Sequence, residues 1–392
     1  MEFPERFSNL PDYAFPRLRA LLDRHAPGGD VLHMSIGEPK HPYPEFVNEV
    51  IARELRGFNS YPNNNGTDGL LNAIADWNAR RHNLTLDPST EIMALNGTRE
   101  GLFNAALALC PEKKNGQKPN VLLPNPFYQV YAIGTLMAQA TPVYVNATAE
   151  NGFLPDFTSL DAAILDQTAI AFICTPSNPQ GAVADADYLT TLITLAEKHD
   201  FYIFSDECYS EIYYGDAPPS ALQIARDMGA DPNRVVVFNS LSKRSNLPGL
   251  RSGFVATGAS AMAKIRQLRA YAGAPLPTPL QAVAEAVWKD EAHVVENRKL
   301  YTEKRALASD IFSNNSEITL PEGGFFLWLP VEDDDQATLE LWKQQGIRVL
   351  PGSYLSRDTD ETNPGKAYIR VAMVASFDQV KRGLDAIQKV LY

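Results

Sequence analysis

Between residues 92 and 256, short apolar runs alternate with longer amphipathic stretches, and this alternation restricts the fold more than any other feature of the chain. The runs at 92–95, 121–123, 143–145, 169–174, 202–205, 235–239 and 253–256 read as strands. Helical patterns intervene at about 99–109, 128–139 and 187–199. Such alternation predicts an α/β fold whose mostly parallel sheet is covered by helices on both faces. Ligands in open sheets of this kind bind beyond the carboxyl ends of the strands. The polar residues that follow each run are therefore the first place to look for chemistry.

From Met262 onward the pattern changes. Long helices are expected at 277–290 and 293–312, then an apolar run at 325–329, a helix near 337–345, a run at 367–372 and a last helix ending near Tyr392. Near the start, a short helix from Leu18 to His25 precedes Pro-rich punctuation at 38–44 and a helix reaching about Arg56. Asn63–Gly66 reads as a turn, and Thr67 or Asp68 can cap the helix that follows through Trp77. These segments predict a large domain over 45–275 and a smaller α/β domain formed by 1–44 and 276–392.

The 392 residues are 45% hydrophobic and 21% charged, enough for one large core and a second smaller one. A net charge of -12 argues against nucleic-acid or membrane-surface binding, though not against a local basic pocket for small anions. Cys110, Cys174 and Cys208 form no C-x-x-C pair and read as reduced, mostly buried thiols of a cytoplasmic protein. The six histidines show no zinc-binding spacing, so no metal is expected. The N-terminus carries no apolar segment with a cleavage signature, and no stretch approaches the roughly 20 apolar residues a membrane span needs.

One lysine stands out. Ser240-Leu-Ser242-Lys243 follows the run at 235–239, and Arg251 lies eight residues beyond Lys243. A lysine at a strand end can form a Schiff base with an aldehyde. Two hydroxyls and a guanidinium suit a phosphate dianion. An aldehyde that carries a phosphate describes pyridoxal 5′-phosphate. By itself the segment is more simply a loop lysine among capping serines, and its partners elsewhere reverse that reading.

Those partners follow other strands. Asn96-Gly97-Thr98-Arg99 opens a helix, where backbone N–H groups favour an anion. Tyr128, with Phe127 as the alternative, can stack on a planar ring. Asn178 can donate to a phenolic oxygen, and Tyr209 to the same atom. Asp206 can pair with a pyridinium nitrogen and keep it protonated, although Glu207 beside it offers the same group. Tyr61 puts a phenol on a loop. Arg370, on an otherwise apolar strand, needs an anion, and a substrate carboxylate fits. Alone, most of these residues are more simply a cap, a turn or core packing, and Arg370 is as readily half of a structural ion pair.

The ordered set Gly37, Tyr61, Thr98-Arg99, Tyr128, Asn178, Asp206-x-x-Tyr209, Ser240-x-Ser242-Lys243, Arg251 and Arg370 resembles that of fold-type I aminotransferases across essentially the whole chain. Within that family, Ser35–His41, Pro124–Tyr131, Glu207–Tyr213, Ser240–Phe254, Val349–Ser353 and Asn363–Gly365 look like the N-succinyldiaminopimelate aminotransferases of lysine and diaminopimelate synthesis. Leu70-Leu71 departs from the Leu-Arg common in related enzymes, outside the chemistry.

The resemblance implies a fold-type I transferase with pyridoxal phosphate bound through Lys243, which also moves the proton. It implies Asp206 at the pyridinium, Tyr128 on the ring, and Asn178 and Tyr209 at the phenolic oxygen. Thr98, Arg99, Ser240, Ser242 and Arg251 would hold the phosphate, and Arg370 with Gly37 the α-carboxylate. Tyr61 would reach the active site of a neighbouring subunit, so a homodimer is implied. The expected reaction is exchange of the amino group of N-succinyl-LL-2,6-diaminopimelate with 2-oxoglutarate. A broad amino-acid aminotransferase or a carbon–sulfur lyase uses the same parts. A regulator fused to a DNA-binding domain fits poorly with an acidic chain and no such module ahead of Gly37.

Overall fold

The computed structural model describes Leu10, residues 12–359 and residues 362–392. The seven apolar runs assemble into one sheet in the order Ile92–Leu95, Gly253–Ala256, Val235–Ser240, Tyr202–Asp206, Thr168–Cys174, Asn120–Asn125 and Thr141–Asn146. Successive side chains on a strand point to opposite faces, so a run apolar at every position needs cover on both. Ala171, Ile173, Ile203, Val235 and Val237 enter one core, under the helices Asp68–His82, Ala186–His199 and Ala221–Asp227. Ile170, Phe172, Phe204, Val236 and Phe238 enter the other, under Thr98–Leu109, Gln129–Met137 and Ala259–Ala272.

Gly253–Ala256 runs antiparallel to both neighbours, so the sheet is mixed and not wholly parallel. Residues 241–252 hold only a one-turn helix, Leu241–Arg244, and a 3-10 turn, Pro248–Leu250. A parallel return needs a long crossover helix, which this segment lacks. The chain therefore turns back at once, with Ser240 opposite Gly253 and Leu95 opposite Gly253 on the other side. Thr98 and Arg251 consequently emerge at the same edge of the sheet as Asp206 and Ser240.

A second core lies outside this sheet. Leu350–Pro351, Tyr368–Ala372 and Phe326–Pro330 form an antiparallel sheet, and Leu32–His33 pairs in parallel with Ile347–Arg348. Leu32, Met34, Leu327, Ile369, Leu341 and Leu384 pack together beneath the helices Ala292–Ile311, Asp334–Gln345 and Phe377–Leu391. Ser376 and Gln379 close a reciprocal capping box that starts the last helix. Among the described residues no helix is long and apolar enough to cross a membrane.

Two local expectations need correction, and one helix packs where the sequence could not place it. The helix Ala259–Ala272 has no counterpart in the pattern read from sequence, because its buried face consists of Ala261, Met262, Ile265 and the charged Arg269. Arg269 reaches Glu100 across the fold, so a charge occupies a position that would otherwise show apolar periodicity. Cys110 and Cys208 are only partly buried; Cys174 alone is buried, and all three are free. The helix Thr278–Lys289, which the sequence pattern places beyond residue 275, packs its apolar face on the larger sheet's core. Trp288 lies 4.8 Å from Trp77 and 5.3 Å from Phe254, ring centre to ring centre.

Trp288→Ala is therefore expected to cost about 3–5 kcal/mol of stability. Urea unfolding followed by circular dichroism measures it, and the loss should appear in the transition of the large core.

Candidate active site

A cavity of about 350 Å³ opens at the carboxyl edge of the large sheet. Every member of the ordered set read from the sequence lines it except Tyr61, which stands fully exposed on its loop. Asp206 ends the strand Tyr202–Asp206 and is 5% exposed. Its carboxylate accepts a hydrogen bond from the Tyr131 hydroxyl at 2.7 Å and one from the Cys208 N–H at 3.3 Å. Burial pushes its pKa up, against the pull of these donors. Glu207 points away from the cavity. It accepts from the Ser205 and Ser220 hydroxyls and from the Ala221 N–H, and burial raises its pKa to about 7. The choice between the two acids thus falls on Asp206.

Lys243 sits in the one-turn helix that follows Val235–Ser240, capped by the Ser240 hydroxyl, which accepts from the Ser242 N–H at 3.1 Å. Its ammonium donates to the Gly37 carbonyl at 2.5 Å. Burial lowers its pKa from 10.5 to about 8. A carbon side chain at Gly37 would lie 2.4 Å from the Phe326 ring, so glycine is needed for that approach.

Arg370 is 5% exposed and forms no ion pair among the described residues. It donates to the Ser35 carbonyl at 2.7 Å and to the Asn178 side-chain oxygen at 2.9 Å, and lies 4.3 Å over the Phe326 ring. Its Nε has no partner. Burial holds its pKa down at about 10. A buried guanidinium with spare donors toward a cavity is a receptor for an anion.

The remaining residues ring the cavity. Tyr128 caps Gln129–Met137 with its ring partly exposed, whereas Phe127 is buried against Tyr144. Of the two aromatics, Tyr128 offers the freer face. The Arg99 guanidinium turns toward it and donates to its hydroxyl at 2.8 Å. Thr98 begins a twelve-residue helix after Gly97, whose φ is +81°. A Cβ on Gly97 would stand 2.0 Å from an Arg251 nitrogen and drive that guanidinium from its place. Tyr209 is held edge-on by Phe325 and Phe326. Tyr131 went unassigned in the sequence, although it lies in the same segment as Tyr128; its stacking on Phe172, with ring centres 4.6 Å apart, aims it at Asp206.

These residues fit pyridoxal phosphate. A buried carboxylate at the cavity floor suits a protonated ring nitrogen. The Gly97 cradle, the helix start at Thr98, Ser242 and Arg251 suit a phosphate. Lys243 is the amine within the same space, and Arg370 remains for a second anion.

In cofactor-stripped protein, the depressed Lys243 pKa means the folded state is penalised for holding that charge below pH 8. Lys243→Met is then expected to raise stability at pH 7 by up to about 3 kcal/mol. The gain should shrink as pH rises from about 8 to 10.5, where the unfolded lysine also loses its proton. Urea titrations of both proteins across that range measure it.

The family described as aminotransferase class I and II matches residues 29–387. The LL-diaminopimelate aminotransferase of Desulforudis audaxviator is 31% identical over 404 residues, covering 100% of this chain and 99% of that protein. Its counterpart in Dehalococcoides mccartyi is 30% identical, over 98% and 97% of the two chains. Among solved structures, an aminotransferase from Neisseria meningitidis superposes with a TM-score of 0.92 at 37% identity, covering 98% of each chain. The aminotransferase AspB of Helicobacter pylori does so at 0.89 and 33%, covering 99% of each. The chain belongs to the class I and II aminotransferases, enzymes that work with pyridoxal 5′-phosphate.

Proposed function

We propose that this aminotransferase exchanges the amino group of N-succinyl-LL-2,6-diaminopimelate with 2-oxoglutarate, in the cytoplasm. The observation that carries the reaction class is a buried, ion-pair-free Arg370 facing the same cavity as Lys243. One observation bears on the substrate: Asp206 at the floor is the sole carboxylate among the lining residues described. Free LL-diaminopimelate would bring a second ammonium with no acidic partner there. Succinylation removes that charge.

Bound pyridoxal phosphate supplies a carbonyl for the substrate amine and a ring that takes up electrons released at the substrate α-carbon. Lys243 anchors the group through Nζ and, once free, carries the proton from the substrate α-carbon. Its lowered pKa suits that work near neutral pH. Asp206, steadied by Tyr131, holds a proton on the ring nitrogen. Asn178 and Tyr209, both lining the cavity, would donate to the phenolic oxygen. Thr98, Arg99, Ser240, Ser242 and Arg251 form the phosphate side, with Arg99 contributing through its backbone while its side chain engages Tyr128. Arg370 orients the α-carboxylate, and Gly37 leaves room beside it. Tyr61 serves the site of a second copy in a homodimer. We further assign residues 45 to about 290 to the cofactor-holding domain and the remainder to the smaller one, moving the boundary to follow the packing of Trp288.

A second reading is unmodified LL-diaminopimelate as substrate, favoured by the names of relatives at 31% and 30% identity. Purified enzyme with 2-oxoglutarate should transaminate the N-succinyl donor with kcat/KM at least about tenfold above LL-diaminopimelate, the equivalent of one properly matched charge. The reverse ranking would establish the second reading. Pyruvate release from a cysteine-type donor without any keto acid would establish a lyase.

Arg370→Lys should weaken amino-acid and keto-acid substrates alike, because lysine cannot make two parallel hydrogen bonds to one carboxylate. Loss of one such bond is worth roughly 1.5–3 kcal/mol. Half-reaction kinetics with glutamate and the N-succinyl donor should show similar losses. A loss confined to one donor would mean that Arg370 reads the distal end.

A further inference from the structure

Behind Lys243, on the side away from the cavity, lies a chain of polar side chains that the chemistry above does not use. Lys304, on the helix Ala292–Ile311, is 2% exposed and has no carboxylate partner among the described residues. Its ammonium donates to the Ala375 carbonyl at 2.5 Å and to His41 Nε2 at 2.6 Å. A lysine ammonium can only donate, so His41 Nε2 must accept. The proton of the neutral ring is then on Nδ1, which donates to the Asn297 side-chain oxygen at 2.9 Å. The same oxygen accepts from Asn246 Nδ2 at 3.1 Å. Asn297 Nδ2 in turn donates to the backbone carbonyls of Lys243 at 3.3 Å and Arg244 at 3.4 Å. Carbonyls only accept, so the orientation of the Asn297 amide is fixed from both ends.

Along the path from Lys304 through His41 and Asn297 to the peptide of Lys243 the donors point the same way, while Asn246 donates into Asn297 from the other side. Its ends touch three parts of the active site. Ala375 follows the strand that carries Arg370, and His41 closes the segment that begins at Gly37. Asn246 also donates to the Pro42 carbonyl at 3.2 Å, tying that segment to the turn after Lys243. Packing keeps the ring in place: His41 lies 4.5 Å from the Tyr301 ring, which stacks at 5.3 Å on Phe325, the ring 5.5 Å below the Lys243 ammonium. A low-dielectric site strengthens hydrogen bonds, and His41 and Asn297, each paired at both ends, are held in one geometry, although the Asn246 side-chain oxygen has no partner among the described residues. A proton-carrying lysine depends on such support, since small misplacements of a reacting group reduce rate steeply.

We propose that Asn297 and His41 are positioning residues for Lys243, held in one orientation by the buried Lys304 ammonium. The inference rests on Lys243 being the proton carrier. Asn297→Asp keeps the acceptor for His41 and Asn246 but cannot donate to the Lys243 and Arg244 carbonyls. His41→Phe keeps a ring against Tyr301 but interrupts the relay.

The experiment mixes the holoenzyme with excess glutamate alone, ordinary or α-deuterated, and reads the maximal rate (kcat) and half-saturation (KM) of this half-reaction from the change in cofactor absorbance. Asn297→Asp and His41→Phe should each lower kcat about tenfold, leave KM for glutamate within about twofold, and raise the deuterium isotope effect on kcat, as proton transfer becomes slower than the other steps. Cofactor-stripped variants should also recapture pyridoxal phosphate on Lys243 more slowly than wild type, read by borohydride trapping and peptide mass spectrometry. A normal kcat, or a lowered kcat with an unchanged isotope effect and a normal recapture rate, overturns the inference and leaves the network a stabilising one. Lys243→Ala run in parallel separates the two levels. If that variant keeps its rate, the assignment of Lys243 itself fails; if it is inactive while the Asn297 and His41 variants are normal, only the positioning role fails.

Discussion

A charge taken out of water must find a counter-charge or a dense set of hydrogen bonds, and here two buried charges that line the cavity form no ion pair among the described residues. Asp206 is met by Tyr131 and the Cys208 N–H, and Arg370 by a backbone carbonyl, an amide oxygen and an aromatic face. Neither set is complete, and what each group lacks faces the same cavity. The surrounding architecture follows from this requirement. A sheet covered on both faces supplies the rigid edge that keeps Asp206 dry. A second sheet brings Arg370 to the opposite wall. The aromatic cluster of Tyr209, Phe325 and Phe326 fills the space between and excludes water from both.

The division of the chain into strands and helices was legible because most strands are buried on both faces and announce themselves as unbroken apolar runs. Ile92–Leu95 and Gly253–Ala256 appear with the limits read from sequence, and the others differ by a few residues at their ends. The direction of Gly253–Ala256 was not legible, since an apolar run carries no sign of its orientation; the shortness of the preceding turn decides it. Ala259–Ala272 escaped because alanines and a buried arginine blur its face. Thr278–Lys289 showed its helical character but not which core it covers, a choice made by shape between Trp288, Trp77 and Phe254.

The residues facing the cavity could be listed from sequence because each follows a strand or sits alone on an apolar one. Their separation into roles depended on side-chain direction. Asp206 and Glu207 are neighbours in the chain, and the alternation of a strand end sends one to the cavity and the other toward Ser220. Arg99 was grouped with the phosphate side on its position, yet its guanidinium turns to Tyr128. Tyr131 and Asn297 had no signal of their own. Both act through another residue, and such partnership exists only once the chain is folded.

The early turn-back of the chain after Ser240 has a mechanical consequence. Lys243 and Arg251 lie on one short connection, and the entropy of bringing two groups together grows with the length of chain between them. Their spacing is a local property of that turn, anchored at both ends in the large sheet. Arg370 and Gly37 belong to the other sheet and its adjoining segment, joined to Lys243 only through space. Any tilt of the smaller unit therefore alters the reach from Lys243 to Arg370 while leaving the span from Lys243 to Arg251 as it was. Grip on one ligand and grip on the other are thus set by different parts of the fold.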